Sequence, residues 1–133
     1  MKSIFLALAL VSVGVHAAED TDTSPCDAVA DDQQTLECAT YNKNTADQLL
    51  KENFQALLDR VTSQYASKKA EQADITARLQ KAQQLWTQSR DADCAIAPLP
   101  AKIGSKPYNI DLNDCLASKS DERSEFLESL LQE

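Results

Sequence analysis

YNKNTADQLLKENFQALLDRVTSQYASKKAEQADITARLQKAQQLWTQSRDADCAIA, residues 41–97, holds neither Gly nor Pro and is rich in Ala, Gln, Leu, Lys and acidic residues. Such residues lose little side-chain freedom in a helix, and the two strongest helix breakers are missing. No stretch of the chain alternates Val, Ile or Thr with polar residues as a half-buried strand does. The fold class read from this is all-α. Leu36, Ala39, Ala46, Leu50, Phe54, Leu57, Val61 and Tyr65 fall mostly at steps of three and four, which makes one apolar stripe on a first helix. Asp31 or Asp32 is placed to cap it, with acids at the positive end of the helix dipole. Continuing the stripe would bury Lys68 and Gln72, so a turn is expected between Ser67 and Asp74. A second helix then carries Ile75, Leu79, Ala82, Trp86 and Ser89 inward, and the two helices form a long antiparallel hairpin.

Residues 95–113 differ in kind. They contain Pro98, Pro100, Pro107 and Gly104, with scattered apolar residues, and are expected to form a non-helical, functionally suggestive loop. A last helix is expected from Asp114 to Leu131, interrupted near Ser118–Ser120. Its apolar side is Leu116, Phe126, Leu127, Leu130 and Leu131.

Upstream, Lys2 precedes an apolar run from Ile4 to Val15, and Val15-His16-Ala17 supplies residues a signal peptidase tolerates. Residues 1–17 therefore read as a secretory signal peptide rather than a membrane span. Cys26 follows Thr23-Ser24-Pro25 and lies well away from the cleavage point, so no lipobox is present. Residues 18–31 form an acidic lead-in and residues 32–133 the helical domain. The expected location is periplasmic or secreted, with no membrane insertion after cleavage.

Loss of Lys2 and His16 takes the formal charge from −8 to −9 and removes the chain's one histidine. Without histidine there is no Ser-His-Asp triad, no Cys-His pair and no His-based zinc site. Strong net acidity disfavours nucleic acid as a partner and favours a cationic one. About 116 residues suffice for one domain of modest core.

Cys26, Cys38, Cys94 and Cys115 are an even set in a chain bound for an oxidising compartment, which points to two disulfides. Of three possible pairings, 26–38 with 94–115 is favoured. Cys26 can fold back onto the second turn of the first helix, and a 94–115 bond would clasp the Pro-rich loop at its base. A four-thiolate zinc site is the alternative, but no C-x2-C pair is present, so no metal and no cofactor are expected.

Leu79, Gln83, Trp86, Arg90, Asp91 and Cys94 form L-x3-Q-x2-W-x3-R-D-x2-C, and Cys115, Arg123 and Leu127 form C-x7-R-x3-L. Upstream, Cys26-x11-Cys38 precedes Asp47-x2-Leu50-x3-Phe54. Together these resemble the small exported helical family named after the lysozyme inhibitor LprI, which includes YecT-like proteins. The resemblance spans residues 26–131. Two positions depart from the family pattern D-x2-L-N-x2-Y: Lys51 stands for the Asn and Phe54 for the Tyr. Ser120 replaces a Thr and is expected to keep its hydroxyl for a helix cap. The resemblance implies a non-enzymatic protein that binds and blocks a lysozyme.

Among the motif residues Asp47, Leu50, Gln83, Trp86, Arg90, Asp91 and Arg123, a structural role is expected. Trp86 reads as a core anchor, and Arg90, Asp91 and Arg123 as a charge cluster joining the second and last helices. Asp91 and Asp93 are neighbouring acids, but no apolar surrounding is evident to tune them as an acid–base pair. The candidate partner-binding loop offers Lys102, Gly104, Ser105, Lys106 and Tyr108. Its two ammonium groups, hydroxyl and phenol suit the carboxylates of a lysozyme cleft, while the acidic body would draw in a basic lysozyme. The competing reading is an envelope accessory or immunity-type module that binds another protein.

Overall fold

The computed structural model describes residues 23–132, so the signal-peptide reading lies outside the described residues. Three helices follow one another: α1 (Asp32–Gln64), α2 (Lys69–Ile96) and α3 (Lys106–Ser129), with no strand among the described residues. Asp31 caps α1 by accepting a 2.8 Å hydrogen bond from the Gln34 N–H, and the Gln34 side chain accepts in turn from the Ala30 N–H at 2.7 Å. The first bond satisfies a donor that the first helical turn leaves without a partner, and the second ties down the residue before the cap.

Two boundaries differ from expectation. The α1–α2 connection is Tyr65–Lys68, shorter and earlier than Ser67–Asp74, and Lys69 to Asp74 are already helical. With neither Gly nor Pro to stop the chain, a three-residue bond from the Lys68 N–H to the Tyr65 carbonyl makes the turn. The second correction is larger: residues 106–113 are helix, not loop. Ser105 is the N-cap, its Oγ accepting from the Tyr108 N–H at 3.3 Å, and Pro107 sits in the first turn. Proline there removes an N–H that has no helical partner anyway, so it starts α3 instead of breaking it. Nor is α3 interrupted at Ser118–Ser120.

Cys26–Cys38 and Cys94–Cys115 are the two disulfides, as favoured from the sequence. The first pins the lead-in to α1. The second ties the C-terminal end of α2 to α3.

The helices run up, down and up. Gln72 reaches Thr62 and Arg90 reaches Asp47, so α1 and α2 are antiparallel. Asn113 meets Thr40 and Ser120 meets Asp47, a shift of seven residues along both helices, so α3 runs parallel to α1 in fixed register. The tightest packing is between α1 and α3. Small residues explain it: Ala39 and Ala46 on α1 and Ala117, Ser120 and Ser124 on α3 are all buried at steps of three, four or seven. They let the backbones approach closely. Leu50, Leu57 and Leu127 form the buried centre, with Phe54, Leu79, Trp86, Leu130 and Leu131 packed against it. Arg60 and Gln64 of α1 donate to the Leu127 and Leu131 carbonyls, tying off the C-terminal end of α3.

Helix α2 stands further out, held off by Leu79, Trp86 and the arginine side chains. Only Cys94 of α2 is fully buried; Ala82 and Ser89, expected inside, are exposed. Phe126, also assigned to the inner side, is 50% exposed.

Candidate binding surface

Two constellations come from the motif residues and a third from the loop. In the first, Arg90 is the hub. Its Nη1 donates to Asp47 Oδ1 and to Ser120 Oγ at 2.8 and 2.9 Å, and its Nη2 pairs with Asp91 at 2.8 Å. Ser120 Oγ donates onward to Asp47 Oδ1 at 2.9 Å. Thus one guanidinium joins all three helices, and Ser120, which is fully buried mid-helix, is a bridge and not a cap. Burial acts to raise the Asp47 pKa, but the Ser120 hydroxyl, Lys43 and Arg90 outweigh it and hold the carboxyl below its ordinary value. Lys43 and Ser120 are the participants that spacing alone missed. The hint lay in Lys43-x3-Asp47, a helical ion-pair spacing, here 3.1 Å. Asp91 and Asp93 are exposed, and Asp91 is engaged by Arg90.

Arg123 takes no part in that cluster. Its Nε donates to Gln83 Oε1 at 3.0 Å, and its guanidinium carbon lies 5.5 Å from the Trp86 ring centre and 5.0 Å from that of Phe126. Arg90 approaches Trp86 as well, at 5.2 Å. Trp86 is thus half-buried, packed on the core below and flanked by two guanidinium groups. Desolvation lowers the Arg123 pKa from its ordinary value.

The α2–α3 connection, residues 97–105, is short and strongly held. The Cys94–Cys115 bond closes its base, and Tyr108 Oη donates to the Ala95 carbonyl at 2.8 Å. Backbone bonds from Leu99, Ala101 and Ser105 to Ile96, Pro98 and Lys102 fold it back on itself, and the Leu99–Pro100 peptide is cis. Gly104, at φ +80°, takes the left-handed turn into the Ser105 cap, a conformation that costs a side-chain-bearing residue about 1 kcal/mol or more.

The loop residues singled out from sequence therefore separate. Lys102 and Gly104 are exposed in the loop, and Lys106 is exposed on the first turn of α3. Ser105 is committed to capping. Tyr108 is buried, its phenol spent on Ala95, which removes it as a donor to a partner. What the loop presents instead is aliphatic: Ile96, Leu99 and Ile103 are 65%, 52% and 73% exposed. These three exposed aliphatic side chains stand at or beside the same short, disulfide-closed connection as Lys102, with Lys106 just beyond it.

Among the described residues, no group of three or more His, Cys, Asp or Glu side chains is arranged to hold a metal ion, and no helix is long and apolar enough to cross a membrane. Comparison with known proteins agrees with the fold. Residues 26–127 match the family model described as lysozyme inhibitor LprI. The crystal structure of a DUF1311 family protein from Pseudomonas putida KT2440 superposes with a TM-score of 0.70 at 37% identity, covering 77% of this chain and 96% of that one. A search of curated proteins finds no match.

Proposed function

Because the chain belongs to the lysozyme inhibitor LprI family, we propose that it is an exported, non-enzymatic protein that blocks a lysozyme-type muramidase by direct contact. The family match over residues 26–127 carries this reading. Three features support it. Two disulfides suit an oxidising compartment, in keeping with cleavage of residues 1–17 and a periplasmic or secreted product. A formal charge of −8, or −9 once Lys2 is removed with residues 1–17, attracts a basic lysozyme and speeds encounter. The clasped 97–105 loop and the helix ends that flank it present Ile96, Leu99 and Ile103 with Lys102 and Lys106.

In this reading the loop enters the substrate cleft. The aliphatic side chains cover its apolar wall, and the two ammonium groups meet the pair of carboxylates with which such enzymes cleave glycosidic bonds. Preorganisation by the disulfide, the Ser105 cap and the Tyr108–Ala95 bond lowers the ordering cost of binding.

The test is a cell-wall lysis assay with a basic c-type lysozyme and the oxidised chain lacking residues 1–17. Stoichiometric inhibition that weakens as salt rises is the expected result, because a charge-steered encounter is screened. Absence of inhibition at large excess would overturn the proposal and leave the envelope accessory reading, in which the same surface binds another protein.

A further inference from the structure

Between α2 and α3 lies a second surface, away from the loop. It is a groove of about 420 Å³ floored by Ile75 and Leu79 on one side and Phe126, Leu127 and Leu130 on the other, with Arg123 at one end. That volume falls in the range of small-molecule sites, about 300–1,000 Å³. The two helices are antiparallel here, since Arg123 bonds Gln83 and Cys115 bonds Cys94. Consequently Arg123 lies toward the Gln83 end, and Ile75 and Leu130 lie together at the other. The span from Arg123 to the C-cap Leu130, helical as far as Ser129, makes the groove about 10 Å long.

Two arginines line the groove, Arg123 at the Gln83 end and Arg78 toward the Ile75 end. Arg78 is exposed and paired with Asp74 at 2.7 Å, so among the described residues the unpaired cation is at the head and the rest of the lining is aliphatic and aromatic carbon. The head is built rather than incidental. Gln83 fixes the Arg123 Nε, and the Trp86 and Phe126 rings fix its plane. Among the described residues it has no carboxylate within ion-pair distance and its two Nη groups have no acceptor, whereas Arg78 pairs with Asp74 and Arg90 with Asp47 and Asp91. A guanidinium held in this way offers two parallel N–H donors, the match for a carboxylate.

We propose that this groove binds a single-chain carboxylate amphiphile, a medium-chain fatty-acid anion, with its headgroup on the Arg123 Nη pair and its acyl chain along Leu79, Phe126 and Leu130. A small carboxylate such as acetate could meet Arg123 but would leave the tail of the groove uncovered. One chain continuous with its anion covers both.

Trp86 is the one tryptophan of the chain and lies beside the head, so its emission reports occupancy. Decanoate, titrated below its aggregation threshold, is expected to give saturable changes in emission and in calorimetric heat. Decyl maltoside, with the same tail and a neutral head, should bind at least about tenfold more weakly, as should decanoate to Arg123→Gln, because a charge-assisted pair is lost. Phe126→Ala, at a half-exposed position that should not impair folding, should weaken decanoate while leaving acetate as feeble as before. Lys102→Ala should bind decanoate like the parent. Absence of saturable heat, equal binding of decanoate and decyl maltoside, or acetate binding as well as decanoate would each overturn the proposal. The third outcome would reduce Arg123 to a bare anion contact.

Discussion

Arg90 on α2 and Asp47 on α1 meet at 2.8 Å across 43 residues of sequence, and Ser120 of α3 bridges both. Helix α2 has little buried surface, so this contact, together with the Cys94–Cys115 bond and the packing of Leu79 and Trp86, sets where it sits. Arg90 is 11% exposed and Asp47 30%, enough water to soften a charge left alone. Asp47→Ala should cost about 2–3 kcal/mol in denaturant unfolding, and Arg90→Ala about the same. The double variant should cost far less than the sum, because each single change already strands the partner. Additive costs would show that the pair does not act as a unit.

The same carboxylate gives the acid limb of stability its shape. Burial raises the Asp47 pKa, but Ser120, Lys43 and Arg90 together place it below 3.8, so its contribution is complete above the unfolded value and lost as pH falls through the folded one. Asp114 acts in the opposite sense: burial, with Asp111 nearby, raises its pKa above 3.8. The fold disfavours its ionised form, so protonation on the way down gives back stability before Asp47 takes it away. Melting temperature from about pH 6 to about pH 2 should therefore rise slightly and then fall. Asp114→Asn should remove the rise, and Asp47→Asn should flatten the fall.

The loop separates binding from folding. Ile96, Leu99 and Ile103 touch little, so replacing all three with Ser should change stability by no more than roughly 0.5 kcal/mol per site. Lysozyme inhibition should nevertheless be lost. Tyr108→Phe makes the reverse case: it deletes a buried hydrogen bond to the Ala95 carbonyl, at about 1 kcal/mol, without altering the exposed surface directly. Retained inhibition in the triple variant would move the contact face off the loop.

Much of this architecture was legible. The all-α class followed from the absence of Gly and Pro over residues 41–97, an N-cap at Asp31 or Asp32 from short acids before an apolar stripe, and the favoured disulfide pairing from where helices end. What misled was residues with two meanings. Pro107 signals a break in mid-helix but a start in a first turn, and only the Ser105 cap decides between them. Serines at 118 and 120 look like an interruption. In the folded chain, Ser120 lies with Ala117 and Ser124 in a stripe whose smallness matters because α1 lies against it. At the site, Lys102 and Lys106 were readable as exposed cations, but the fate of Tyr108 depended on a long-range bond to Ala95. The exposure of Ile96, Leu99 and Ile103 depended on which way a clasped loop turns. Neither leaves a periodic signal.

That stripe yields a last contrast, between two serines four residues apart on one helix face. Ser120 and Ser124 are 0% and 2% exposed, similar in burial and neighbours in helical terms. Their hydroxyls differ. Ser120 accepts from Arg90 and donates to Asp47, whereas Ser124 Oγ has no hydrogen-bond partner among the described residues. Ser124→Ala removes an unsatisfied buried hydroxyl, keeps the small volume that α1 needs and improves helix propensity, so it should stabilise by about 1 kcal/mol. Ser120→Ala makes the same gain in propensity but leaves Asp47 and Arg90 each one hydrogen bond short, and should destabilise by about 1–2 kcal/mol. Matched urea unfolding of the two variants checks both signs at once. Equal shifts would mean that burial, not hydrogen bonding, decides what a serine does at this interface.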